Sequence, residues 1–192
     1  MAVIPLPDTE FLRQCLNYDP ETGVLTWKHR PIEHFCDGRV WAIWNSNFSG
    51  TQAGNVATGK IAIAPNVYHM HRIIWKMMTG TDPEKLIDHH DRDRCNNRWN
   101  NLRPATFSQN NRNAGVRSHS VTGLKGVGIN WEKVNNIYYA VIRVEGRNRK
   151  LGYFATPEMA HAAYCKAAKA EFGDYWNPGL PHPTKRKATS QS

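Results

Sequence analysis

Residues 87–103 read "IDHHDRDRCNNRWNNLR". An acid and two histidines follow one apolar residue, and the stretch then runs through alternating charges and four asparagines. Asparagine tolerates left-handed backbone and bonds its own chain in turns, so an Asn-rich stretch taken alone reads as a loop. The spacing opens a second reading, because carboxamides lie 13 and 22 residues beyond Asp88, at Asn101 and Asn110. A carboxylate and a carboxamide oxygen can bind a hard cation while an imidazole deprotonates water. Together such groups can build a metal-assisted phosphodiesterase, in which the cation would stabilise the leaving 3′ oxygen as its bond to phosphorus breaks. Neighbouring side chains of a strand point to opposite faces, so Asp88 and His89 can act on one phosphate only at a strand end or a distortion.

Outward from this stretch, "KIAIA" and "VYHMH" read as a hairpin around "PN" that runs into "RIIWKMMTG", where Ile73, Ile74, Met77 and Met78 form a helical core stripe stopped by Gly80. Downstream, Thr106 is a reasonable N-cap for a short helix from about Phe107 to before Gly115. "VRSHSVTG" then reads as a linker. Beyond it, "KGVGINW", "IYYAVIRVEG" and "RNRKLGYF" are three β-rich runs. "TPEMAHAAYCKAAKAEFG" is a helix with Thr156 as cap, Pro157 at its first position and Gly173 as stop. Alternation sets Tyr139, Val141 and Arg143 on one face of the middle strand, with Tyr138, Ala140, Ile142 and Val144 facing the helix. Near the N-terminus, Phe11, Leu12, Cys15 and Leu16 have helical spacing, and "DPETG" is a turn before an extended "VLTWK". Residues 31–59 show no period and are expected to form loops and short strands.

The chain has 192 residues with 25 Lys plus Arg against 16 Asp plus Glu, a net charge of +9 that suits a polyanionic partner. No run approaches a membrane span and "MAVIPLPDTEFLRQ" lacks a signal core, so a cytoplasmic protein is expected. Cys15, Cys36, Cys95 and Cys165 are scattered singly, which predicts reduced thiols and no structural zinc.

The full pattern "I-D-H-x-D-x-D-x-x-N-N-x-x-x-N-L-R" followed by "S-Q-N-x-R-N" closely resembles the HNH nucleases of phages and their hosts, and the likeness extends to "HRIIWKMMTG" and "YDPETGVLTWK". The resemblance implies a homing-type DNA endonuclease of α+β class, its catalytic unit two strands and a helix around one metal, magnesium or else manganese. By position, Asp88 and Asn110 match the metal ligands, His89 the general base, and Asn101 the asparagine that ties the loop together. His90 departs from the family's apolar residue. His71 sits at the family's "H-R" position, for phosphate contact or for structural hydrogen bonding. Arg103 and Arg112, with Arg92, Arg94 and Arg98, surround the unit and are candidates for phosphate neutralisation.

The C-terminal pattern resembles the ethylene-response-factor type of DNA-binding domain, a three-stranded antiparallel sheet on one helix whose sheet enters the major groove. On that resemblance Lys125, Trp131, Arg143, Arg149 and Lys150 are the candidate DNA contacts. The plant pattern has more arginines in the first strand and a glutamate at Val141, so its sequence preference does not carry over. The expected organisation is a scaffold region 1–60, a ββα-metal nuclease unit 61–114, a linker 115–122, a DNA-binding domain 123–180 and a disordered tail 181–192. Double-stranded DNA is the expected partner of a monomer. The competing reading is a DNA-binding regulator with a degenerate nuclease unit. An RNA-binding protein has less support, for no RNP aromatic motif or GXXG clamp is present.

Overall fold

The computed structural model describes residues 4–116, 118–132, 134–135 and 137–179. The tail read as disordered lies outside them. The chain divides into two compact units, Met1–Ala105 and Thr106–Ser192.

The first unit begins with α1 (Thr9–Cys15), capped by the Asp8 carboxylate, which accepts from the Glu10 amide. Leu12 and Cys15 are its buried face. It leads directly into β1 (Leu16–Tyr18), which pairs antiparallel with β2 (Leu25–Trp27). The "DPETG" turn between them is closed by Asp19, whose carboxylate takes the Glu21 amide and the Thr22 hydroxyl.

Residues 31–59 correct the expectation of loops and short strands. They contain a 3-10 turn (Ile32–His34), an 11-residue helix, α2 (Gly38–Phe48), and isolated bridges at Gln52 and Asn55 in place of strands. Asp37 caps the helix through the Val40 amide. Its inner face is polar as much as apolar: Asn45 exchanges two hydrogen bonds with the Arg30 backbone, and the Trp41 indole donates to the same Arg30 carbonyl. A helix held this way leaves little hydrophobic period in its sequence.

β3 (Lys60–Ile63) and β4 (Asn66–His69) form the expected hairpin and lead into α3 (Met70–Thr79), which ends at Gly80 in the left-handed conformation. Met70, Ile73, Ile74 and Met77 are buried, whereas Met78, expected in the stripe, is exposed. β5 (Leu86–His89) then pairs antiparallel with β6 (Leu102–Ala105). One core joins Leu12, Leu16 and Leu25 to Ile61, Ile73, Ile87 and Leu102. The region read as scaffold is therefore part of the body that carries Asp88 and His89.

The second unit opens with α4 (Phe107–Asn113), where Thr106 and Gln109 form a capping box. β7 (Val127–Ile129), β8 (Tyr138–Val144) and β9 (Arg147–Phe154) form one antiparallel sheet in that order, and α5 (Pro157–Phe172) packs on it. Ala140 and Ile142 of the sheet meet Ala160, Tyr164 and Ala168 of α5 in the core. Gly126, at φ +75°, makes that contact possible, because a β-carbon there would run into the Tyr164 ring.

Candidate active site

Asp88 and His89 are the last two residues of β5, and each is only 6% exposed. Their side chains meet different groups, as alternation requires. Asp88 stands opposite Arg103 in the ladder, and the guanidinium gives its Nε (3.0 Å) and Nη2 (2.9 Å) to Asp88 Oδ2. His89 meets His71 edge-on, with ring centroids 5.2 Å apart, and its Nε2 lies 3.1 Å from the Asn97 carboxamide oxygen. His90 is exposed and contributes its backbone amide to the Asn101 carbonyl at 2.8 Å.

Asn101 is buried at the end of a short 3-10 turn, Trp99–Asn101. Its carboxamide oxygen accepts from the Asp91 amide (3.0 Å), and its nitrogen donates to the Asp91 carboxylate (2.9 Å) and the Asn96 carbonyl (2.7 Å). Three contacts from one side chain thus join both ends of the 90–101 loop. Asn96 adds a bond to the other Asp91 oxygen at 2.6 Å. The asparagines of this loop are turn residues in part, as an Asn-rich stretch leads one to expect, but Asn97 and Asn101 reach inward.

Asn97 is the inward residue that sequence reasoning missed. It is 2% exposed and holds His89. Nothing in "CNNRW" distinguishes it from its neighbour Asn96.

His71 lies between His69, stacked on it at 5.3 Å, and His89. Burial above all, then the neighbouring His89 and His69 and the charges of Arg72 and Arg94, push it down to about 3. It is therefore uncharged at neutral pH and packs as a neutral ring, without positive charge for a phosphate. Below about 6.5 an unfolded chain would bind a proton here that the folded chain does not. The contribution of His71 to stability is present above pH 6.5 and is lost as pH drops towards 3, by up to about 1.4 kcal/mol per pH unit. Urea midpoints between pH 7 and 4.5 should fall with pH, and His71→Phe should make that fall shallower, with His69 and His34, both lowered chiefly by burial, keeping the remainder. An unchanged slope in the variant would assign the acid sensitivity elsewhere.

The remaining candidates lie in the second unit. Asn110 is half-buried on α4. Arg112 stacks its guanidinium over the Phe172 ring at 4.2 Å. Lys125 donates to the Arg112 (2.5 Å) and Ala114 (2.6 Å) carbonyls, so its ammonium caps the C-terminal end of α4. In the sheet, Arg143 and Asn148 face each other, as do Val141 and Lys150. Lys150 lies 4.8 Å from the Tyr139 ring centroid and 4.7 Å from that of Tyr153, and donates to the Tyr153 hydroxyl at 2.7 Å. Those contacts, the hydroxyl first, raise its pKa. Trp131 is 79% exposed, so it is not a packing residue of the sheet. It borders an open groove of about 550 Å³ with Asn130, Tyr139, Val141 and Lys150.

Arg149 takes the other side. It pairs with the core residue Ile142 and reaches Glu171 of α5 at 3.1 Å. A β-bulge between Ala140 and Val141, which leaves Leu151 without a partner, sets this register.

Among the described residues no group of three or more His, Cys, Asp and Glu side chains could hold a metal ion, and no helix is long and apolar enough to cross a membrane. No disulfide joins the four cysteines. No curated protein and no solved structure matches the chain. Residues 68–112 match the sequence model of the HNH endonuclease family, so the part of the chain that carries Asp88, His89, Asn101 and Asn110 is similar to nucleases acting on DNA.

Proposed function

We propose that this protein is a metal-dependent endonuclease that hydrolyses double-stranded DNA site-selectively, of the homing type, with His89 as general base. The observation that carries the reading is the pair at the end of β5: a carboxylate and an imidazole, adjacent in sequence, each locked by its own partner. In the proposed reaction a water proton passes to the His89 imidazole. The resulting hydroxide forms a bond to phosphorus, and the bond from phosphorus to the 3′ oxygen breaks. Asp88 supports the hydrolytic reading as a hard oxygen donor, and Asn101 keeps the loop around it closed.

The donor chemistry fits a divalent cation of the magnesium or manganese kind. Such ions are held by one or two carboxylates together with carbonyl, water and phosphate oxygens, so a site with Asp88 as its acidic ligand needs no cluster of His, Cys and carboxylates. Asp88 would be the acidic ligand that holds the ion, which supplies countercharge for the leaving oxygen when bound. Arg112 and exposed arginines of the 90–103 stretch would neutralise phosphates. The exposed sheet face with Trp131, Arg143 and Lys150 would contact bases, in the manner of the ethylene-response-factor domain it resembles. Lys125 and Arg149, engaged with α4 and Glu171, would contribute mainly through the backbone they support.

Supercoiled plasmid incubated with the protein decides the reading. Nicked or linear product is expected with magnesium and none with chelator. Tight, sequence-selective binding without cleavage under any divalent ion would replace the enzyme by a DNA-binding regulator.

A further inference from the structure

Granting the nuclease reading, we propose that Asn97 is a positioning residue for the base His89, and that the segment Leu16–Trp27, outside the region matching the nuclease family, holds Asn97 in place. A carboxamide oxygen only accepts hydrogen bonds, so a contact of 3.1 Å from it to His89 Nε2 requires the proton on that nitrogen. The neutral ring then carries its lone pair on Nδ1. Nδ1 is therefore the atom that takes the proton from water. Both groups are buried, which strengthens this contact relative to one open to bulk water. His71 packs edge-on against the same ring and limits its rotation.

Asn97 has no helix or strand to hold it, and its place is fixed from residues some 80 positions earlier. The Tyr18 hydroxyl donates to the Asn97 carbonyl at 2.8 Å. Burial, with Asp19 adding to it, pushes that phenol up to about 12, so it remains a donor. Arg98 Nε donates to the Glu21 carbonyl at 2.8 Å, and the Trp99 amide donates to the Pro20 carbonyl at 3.1 Å. Gly23, at φ +76°, lies against the same backbone, where a β-carbon would stand 2.5 Å from the Arg98 nitrogen. The "YDPETG" turn thus grips three successive residues, Asn97, Arg98 and Trp99. It serves the site as a brace as well as the core as a strand connection.

Long-range ¹⁵N–¹H spectra of the full-length protein report which imidazole nitrogen is protonated, independently of activity. The wild type is expected to show His89 as the Nε2–H tautomer. Asn97→Ala should give a mixture of tautomers and lower kcat by about 10- to 100-fold with KM for DNA unchanged. Asn97→Asp retains an acceptor oxygen and should recover the Nε2–H signal and part of kcat. Tyr18→Phe removes one hydroxyl only and should lower kcat by a smaller factor, with the tautomer mixture partly restored; it also serves if Asn97→Ala does not fold. A wild-type protein that cuts DNA with His89 protonated on Nδ1, or an Asn97→Ala variant with the tautomer and kcat of the wild type, overturns this proposal alone. A protein that shows Nε2–H and never cuts DNA overturns the nuclease reading, and with it the catalytic role of the contact.

Discussion

His89→Ala should lower DNA cleavage by 10²-fold or more while leaving DNA affinity near the wild-type value. Loss of a general base acts on the transition state and spares phosphate contacts. The side chain is buried between His71 and Asn97, so the substitution also leaves a cavity, and a folded signature by circular dichroism must accompany the assay. His90→Ala is the internal control. Its side chain is exposed and its backbone amide carries the contact to Asn101, so cleavage should change by less than about threefold. The reverse order of the two variants would move the base to His90.

Asp88→Ala should abolish cleavage and also destabilise the first unit. The substitution removes the carboxylate that takes two hydrogen bonds from Arg103, whose side chain is only 14% exposed. Removing one partner of a buried pair typically costs about 3–5 kcal/mol, whereas replacing both with apolar groups can be nearly neutral. The double variant Asp88→Ala, Arg103→Leu should therefore recover much of the lost stability in urea and none of the cleavage. That separation distinguishes a carboxylate needed for chemistry from one needed only to neutralise an arginine. Cleavage restored together with stability would assign Asp88 a structural role and remove it as the acid that holds a cation.

Much of the fold was legible where local chemistry decides it. Thr106 and Thr156 cap helices where expected, Gly80 ends α3, and the hairpin around Pro65 and Asn66 forms between the expected strands. Helix α2 was not legible, since on its inward face Trp41 and Asn45 are tied to the Arg30 backbone by hydrogen bonds and Trp44 lies against the Arg30 guanidinium, contacts that a hydrophobic period does not record. Asp37 as cap, with aromatics at 41, 44 and 48, was the signal available.

The sheet of the second unit shows the same division. Alternation correctly separates Ala140 and Ile142 from Tyr139, Val141 and Arg143. It does not place Arg149, because a bulge near Gly152 sets which side of β9 each residue takes, and Arg149 turns to Glu171 on α5. Lys125 is similar: its charge is plain in the sequence, and its engagement with the C-terminal end of α4 follows only from how the chain closes on itself.

In the candidate site, local properties alone make an acid and an imidazole neighbours in an extended segment that leads into an Asn-rich loop, because adjacency, strand character and turn propensity are all written in a few consecutive residues. Tertiary structure alone decided what each of them touches. Asp88 meets Arg103 through the register of two strands, and His89 meets Asn97 because Tyr18, 79 residues from Asn97 along the chain, anchors that backbone. Contacts of such separation depend on the path of the whole chain through a common core. No local pattern around Asn97 could have distinguished it from Asn96, which bonds only within its own loop.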